Sequence, residues 1–333
     1  MKKNLILLAV LIVLGGAAYY LLSAGSGTDS SSRIGWDREF AVKNTEDIGT
    51  IYLEFREGEN VKLHREGDHW IYNDTYRASD SKVKNLLSII RNLQIKYKPA
   101  DKAVPTIVKS IANIGIKVEI FDKKDKKMKG YYVGGGTPDE SGTYMIMEEA
   151  EQPYVCEIPI FVGSLRVSYA LRGDKWRDVF VFRENPDDIT YVSIDYPKQR
   201  RHSFKLQRTN DGFDITPLYP TTPKSPNPYR KGSAEQYLNF FKKVGIEAFE
   251  NKYAGRDSIE QQVPFCRITL KRKDGKNKEV TLYPRNNKYA SPEKQAIERF
   301  IGIFKEDNRK DVILAQYLVF KKILRSYDFF YNE

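Results

Sequence analysis

The chain has 333 residues, 41% hydrophobic and 30% charged, a balance that describes a globular body with room for two domains of ordinary size. Its formal charge of +11 at pH 7 favours anionic partners, such as lipid head groups or acidic glycans, with nucleic acid the least expected outside the cytoplasm. The only cysteines, Cys156 and Cys266, exclude a disulfide framework, and with three scattered histidines, His64, His69 and His202, they leave no ligand set of metal-binding spacing.

The first predicted element is an apolar run, Leu5 to Leu22, which carries no charge and follows Lys2 and Lys3. Its length is at the lower limit for a helix crossing the hydrocarbon core of a bilayer. The two lysines predict that residues 1–4 stay in the cytoplasm and that the rest lies outside a cytoplasmic membrane crossed once. A cleaved signal peptide is the competing reading, because Ser23-Ala24-Gly25 offers small residues where cleavage would fall. Residues 23–33, rich in Gly and Ser, read as a flexible linker.

A folded body is expected from residue 34. Ile51, Leu53 and Phe55 alternate with Thr50, Tyr52 and Glu54, a strand with one buried face. Val61 to Arg65, a turn at Glu66-Gly67-Asp68 and Trp70-Ile71-Tyr72 complete an antiparallel meander. Ser79 or Asp80 then caps a helix whose Val83, Leu86, Leu87, Ile90 and Leu93 share one apolar face. A short helix from Pro105 to about Asn113 follows, ended by Gly115. Strands are expected over 116–121, 131–133, 143–147 and 153–158, with a short helix within 161–169. Cys156 and Cys266 each lie in an apolar strand-like run and are expected buried and unpaired.

At Trp176 the order begins again. Trp36 and Phe40 recur as Trp176 and Phe180, Leu53 as Ile194, Leu63 and Arg65 as Leu206 and Arg208, Trp70 as Phe213, and Val118 and Ile120 as Ile268 and Leu270. The helix recurs with Val83, Leu86, Leu87 and Ile90 set against Tyr237, Phe240, Phe241 and Val244, beyond a Pro-rich insertion from Pro217 to Pro228. An ordered series of this kind predicts an internal duplication. The expected architecture is therefore α+β, two tandem repeats of antiparallel meander plus packing helix, over 34–172 and 173–333. In the second copy Ile297, Ile301 and Phe304 predict a helix from Ser291 to Phe304, and Val312 to Phe330 a packed closing element.

The copies differ at one turn. Gly134, Gly135, Gly136, Asp139, Glu140 and Tyr144 form a hairpin with no counterpart in the second copy, which makes it the expected partner-binding site. No Gly-Lys-Ser/Thr ending follows the glycines, so they read as residues permitting positive φ in a turn, and a phosphate-binding loop is not expected. Basic turns recur at equivalent places, Lys123, Lys124, Lys126 and Lys127 in one copy and Lys271, Arg272 and Lys273 in the other, as expected contacts for an anionic surface. Ser141 with His69 and Asp139 could be assembled into a hydrolase set, yet no nucleophile elbow surrounds Ser141. Carboxylates around the hairpin, Asp139, Glu140, Glu148, Glu149 and Glu151, read as solvated rather than as a glycosidase pair. No catalytic, cofactor or metal-binding residue is expected.

Trp36-x-x-x-Phe40, the meander ending in Trp70, Ile114-Gly115-Ile116-Lys117-Val118, Tyr132-Val133-Gly134-Gly135, Gly142-Thr143-Tyr144-Met145, Pro153-Tyr154-Val155 and Trp176-Arg177-Asp178 resemble the bacterial family of unknown function numbered 4340, in the form found in Bacteroidetes. The resemblance covers most of the expected ectodomain. It implies a membrane-anchored extracytoplasmic protein of accessory or scaffold type, because related domains accompany ABC-type export systems, and it supplies no catalytic residues. Any transporter link would run through separate subunits.

Overall fold

Ile51, Leu53 and Phe55 are buried while Tyr52 and Glu54 face outward, and Ile48–Phe55 accordingly forms a strand, β1. The chain, seen in a computed structural model, is described over residues 35–159, 161, 163–285 and 297–331. The anchor expected at 5–22 and the linker at 23–33 lie outside the described residues. Among the described residues no helix is long and apolar enough to cross a membrane. The chain divides into two compact units between Arg177 and Asp178.

In the first unit β1 is followed by β2 (Val61–Glu66), β3 (His69–Tyr72) and a two-residue β4 (Tyr76–Arg77). Helix α1 (Asp80–Asn92) comes next and lays Val83, Leu86, Ile89 and Ile90 into the core. Then come β5 (Gln94–Tyr97), α2 (Val104–Ile114), β6 (Ile116–Asp122), β7 (Lys127–Gly136), β8 (Thr143–Met147), β9 (Tyr154–Glu157) and the short α3 (Arg166–Tyr169). The sheet runs β4-β3-β2-β1-β6-β7-β8-β9-β5, antiparallel throughout. One face packs on α1 and Trp176. The other is partly covered by α2 through Ile107 and Ile111 against Ile146.

The second unit contains β10 (Phe180–Phe182), β11 (Ile189–Asp195), β12 (Phe204–Thr209), β13 (Gly212–Pro217), α4 (Ser233–Asn239), β14 (Val244–Gly245), β15 (Ala248–Phe249), α5 (Arg256–Ile259) and β16 (Cys266–Arg272). It ends with β17 (Asn277–Arg285), β18 (Arg299–Glu306), β19 (Arg309–Gln316) and α6 (Tyr317–Phe320). Its large sheet runs β13-β12-β11-β16-β17-β18-β19-β15. Apart from β4, this matches the first sheet strand for strand.

The correspondence reaches single side chains. The β1–β6 pairing shifts register between Ile48 and Thr50, and β11–β16 shifts between Ile189 and Tyr191. Arg65 Nε donates to the Ile48 carbonyl at 3.3 Å and its guanidinium lies over Trp70, 5.0 Å from the ring centroid. Arg208 Nε donates to the Ile189 carbonyl at 2.9 Å and lies over Phe213 at 4.7 Å. In both units an arginine thus ties the bulged strand end to an aromatic ring. Cys156 and Cys266 are buried free thiols, pushed well above the ordinary range by that burial.

Four expectations change. The helix predicted over 291–304 is strand β18 from Arg299 onward, and its earlier part lies outside the described residues. Phe300 and Phe304 face the large core while Ile301 and Ile303 face a second cluster with Ile259, Tyr283, Val312 and Leu314. Burial on both faces erases the period-2 alternation that marks a strand. Secondly, the helix correspondence slips by about one turn: Ser79 N–H donates to the Trp176 carbonyl at 2.7 Å as Arg230 N–H does to that of Phe330 at 2.9 Å. Val83, Leu86 and Ile90 therefore correspond to Ala234, Tyr237 and Phe241, all buried. Thirdly, Trp176 packs in the first unit's core and closes that unit, where Phe330 closes the second. Lastly, the hairpin glycines carry no positive φ; in that turn the left-handed residue is Glu140, at φ 55°.

Candidate functional site

The β7–β8 hairpin is a self-capped turn packed under a helix. Thr137 Oγ1 accepts from the Ser141 and Gly142 amides at 3.0 and 3.1 Å, and Asp139 Oδ1 accepts from Ser141 N–H at 3.2 Å. Hydrogen bonds from Thr137 and Ser141 hold the Asp139 carboxyl down to about 2. A Cβ on Gly134 would stand 2.7 Å from Ile111 Cγ1, and one on Gly142 would stand 2.5 Å from Val155 Cγ1. Close approach explains these glycines. Arg166 Nη1 donates to the Val133 and Gly134 carbonyls at 2.9 and 3.2 Å, and Tyr144 packs against the α2 cluster. Of the six residues singled out, Gly134 is buried, Gly135 and Tyr144 are half-buried, and Gly136, Asp139 and Glu140 are exposed.

The basic turns are only partly free to meet an anion. Lys127 pairs with Glu119 at 2.6 Å and with Glu148, and the Glu119 carboxyl is held below its usual range chiefly by Lys127. Arg272 pairs with the buried Glu184 and with Asp274, each at 3.2 Å. Lys271 lies over the Tyr191 ring at 5.2 Å. Lys123, Lys124, Lys126 and Lys273 are exposed. The hydrolase set is not assembled: β2, β1 and β6 lie between β3, which carries His69, and β7, a span of about 19 Å at ~4.8 Å per strand.

The second unit holds a cleft that none of these features indicated, with a volume of about 560 Å³. Tyr196, at the end of β11, and Phe265, just before β16, form one wall with rings 5.9 Å apart. Phe329, in the closing turn, also lines the cleft. Arg230 and Arg325 both stand over the Phe329 ring, 4.9 and 5.3 Å from its centroid. Burial pushes the Tyr196 hydroxyl well above its ordinary range, so it remains a donor, and it binds the Arg325 carbonyl at 3.1 Å. Tyr237 donates to the Ile323 carbonyl at 2.9 Å. The segment carrying Arg325 is thereby fixed from within the core.

The polar groups of this cleft are incompletely satisfied. Arg230 Nη2 donates to Gln236 Oε1 at 3.3 Å and to the Phe329 carbonyl at 3.2 Å, while its buried Nε has no hydrogen-bond partner among the described residues. Arg201 Nε donates to His202 Nε2 at 3.3 Å, which places the imidazole proton on Nδ1, another buried atom without a partner there. Neither Arg230 nor Arg325 has a carboxylate within ion-pair distance among the described residues, and Asp328 sits exposed at the rim.

Duplication supplies an internal comparison. Through the paired amide–carbonyl contacts at Trp176 and Phe330, Arg230 occupies the place of Ser79. Arg325, five residues before Phe330, occupies the place of Leu171, whose carbonyl accepts from Trp176 Nε1. The first unit closes the same way without either cation. With the helix register set one turn away, the sequence reading could not pair these positions; the Pro-rich insertion before Arg230 was the available signal.

No curated protein and no solved structure matches the chain. The family described as Domain of unknown function (DUF4340) matches residues 73–261, from the end of β3 to just beyond α5, and so includes Arg230 but not Arg325. That span is more than half of the 333 residues and reproduces the family resemblance of the motifs above, so the chain belongs to the DUF4340 family.

Proposed function

We propose that the protein crosses the cytoplasmic membrane once, N-terminus inside, and that its duplicated extracytoplasmic body is a binding module without catalytic activity, an accessory subunit of an envelope export or assembly complex. The binding reading is carried by the contrast between the copies: one scaffold, closed twice in the same way, bears Arg230 and Arg325 at a cleft where the other copy has Ser79 and Leu171. Both arginines also hold the closing turn, but the first unit closes without them and neither has a carboxylate partner among the described residues, which leaves their charge for a ligand. The tether rests on the uncharged run Leu5 to Leu22 behind Lys2 and Lys3. The accessory role rests on the resemblance to membrane-anchored proteins that accompany ABC-type exporters.

Native mass spectrometry of the full chain, extracted from its own membranes in mild detergent, tests this reading. The wild-type chain should carry a non-covalent adduct that is lost from the Arg230→Gln/Arg325→Gln variant. Both chains appearing only at their own bare masses, or both carrying the same adduct, would count against binding at the cleft. A membrane-free mature chain beginning near residue 25 would remove the tether.

A further inference from the structure

We propose that the cleft of the second unit takes an organic oxyanion, a carboxylate or phosphate, carried on a flat apolar body. The inference deepens the binding reading above and rests on it. The Arg230 and Arg325 guanidiniums both lie within 5.3 Å of the Phe329 ring centroid, which concentrates like charge there, and no carboxylate among the described residues lies within ion-pair distance of either. An oxyanion in the cleft offsets that positive charge and accepts charge-assisted hydrogen bonds, which are roughly twice as strong as neutral ones. Arginine presents a planar fork that matches carboxylate and phosphate oxygens, so both anions belong to the same recognition chemistry. Arg230 and His202 line the cleft, and each carries a buried donor without a partner among the described residues, Arg230 Nε and His202 Nδ1, so donors outnumber acceptors around it.

The apolar half of the ligand follows from the walls. Tyr196, Phe265, Tyr317 and Phe329 all line the cleft, and the buried Phe300 backs Phe265 and Tyr317 at 5.2 and 6.2 Å, so the lining is rich in aromatic carbon. Such walls favour a planar group, which stacks or meets ring edges at little entropic cost. A volume of about 560 Å³ falls within the range for small-molecule sites, ~300–1,000 Å³. Asp328 at the mouth opposes a highly charged anion and favours one with a single oxyanionic group.

The test uses the full chain in lipid nanodiscs, with empty nanodiscs subtracted, and calorimetric titration of four probes: 1-naphthylacetate, 1-naphthyl phosphate, neutral 1-naphthylacetamide and inorganic phosphate. Both naphthyl anions should bind at least tenfold more tightly than the amide and than inorganic phosphate, and their ratio separates carboxylate from phosphate ligands. Arg325→Gln and Arg230→Gln should each weaken the anions at least tenfold, whereas Arg325→Lys should retain part of the affinity. Amide binding equal to that of the anions, or no anion binding up to solubility, overturns the proposal on the wild-type chain alone, whatever the variants do to folding. If the native adduct persists while the anions fail, binding at the cleft stands and the oxyanion falls.

Discussion

Removing the Trp176 side chain is expected to open the first unit and leave the second intact. The ring is fully buried in the first core, its Nε1 donates to the Leu171 carbonyl at 2.7 Å, and its own carbonyl holds Ser79 N–H at the start of α1. Truncating a buried tryptophan to alanine costs about 3–5 kcal/mol, and a Leu171 carbonyl left without a partner adds about 1–3 kcal/mol if water does not reach it. At about 4 kcal/mol the opening equilibrium of the first unit rises roughly a thousandfold. Trp176→Phe keeps most of the packing and loses the hydrogen bond, so it should cost only about 1–2 kcal/mol. Hydrogen exchange resolved by peptide reads the two units separately. Amides of β1 and β6 should lose protection by about that factor, and those of β11 and β16 should keep theirs. Lost protection in β11 and β16 with β1 and β6 unchanged would refute the assignment and restore Trp176 to the head of the second copy.

Gly134→Ala should destabilise by about 1–3 kcal/mol in urea titration through its clash with Ile111, and adding Ile111→Ala should recover part of that loss as a positive coupling. Glu184→Ala, which strips the buried partner from Lys278 at 2.8 Å and from Arg272, should cost about 3–5 kcal/mol, far more than Glu306→Ala at the network's edge. Arg65→Met and Arg208→Met should each cost about 1–3 kcal/mol, matched in size and confined to their own units by hydrogen exchange; unequal losses would break the equivalence of the two ties. The Asp139 carboxyl, folded value about 2 against an ordinary 3.8, contributes hairpin stability that is fully present above the ordinary value and lost as pH falls toward 2. Carbon-detected titration should show its midpoint near the low value in the wild type and raised part of the way toward the ordinary value after Thr137→Val, since the Ser141 hydrogen bonds remain.

Strand alternation made the first meander and its mirror in the second unit legible, because Ile51, Leu53 and Phe55 have one buried face and Val192 and Ile194 repeat it. Legibility failed where a strand is buried on both faces, as in β18, since Ile301 and Phe304 then satisfy a helical spacing by chance. It failed again in the helix register, where apolar residues three and four apart allow two alignments one turn apart, and only the amide–carbonyl contacts at Trp176 and Phe330 decide between them. Glycines at 134 and 142 were visible as a cluster, but what they accommodate, Ile111 and Val155, is distant in sequence. The cleft was hidden for the same reason. Its cations come from Arg230 and Arg325, nearly a hundred residues apart, and their significance depends on which residues they replace.

The closing aromatics also set an order of assembly. Each unit's helix start is fastened by a carbonyl near that unit's last residues, so neither unit is complete until its own final turn has been synthesised. Trp176 leaves the ribosome well before Phe330, and the first unit can therefore shut while the second is still an unfinished sheet. During that interval the second unit lacks Phe329 and the Arg325 guanidinium, and its aromatic core residues near the unfinished end are exposed. A protein built this way completes its cleft last, after its first unit has already become a closed body.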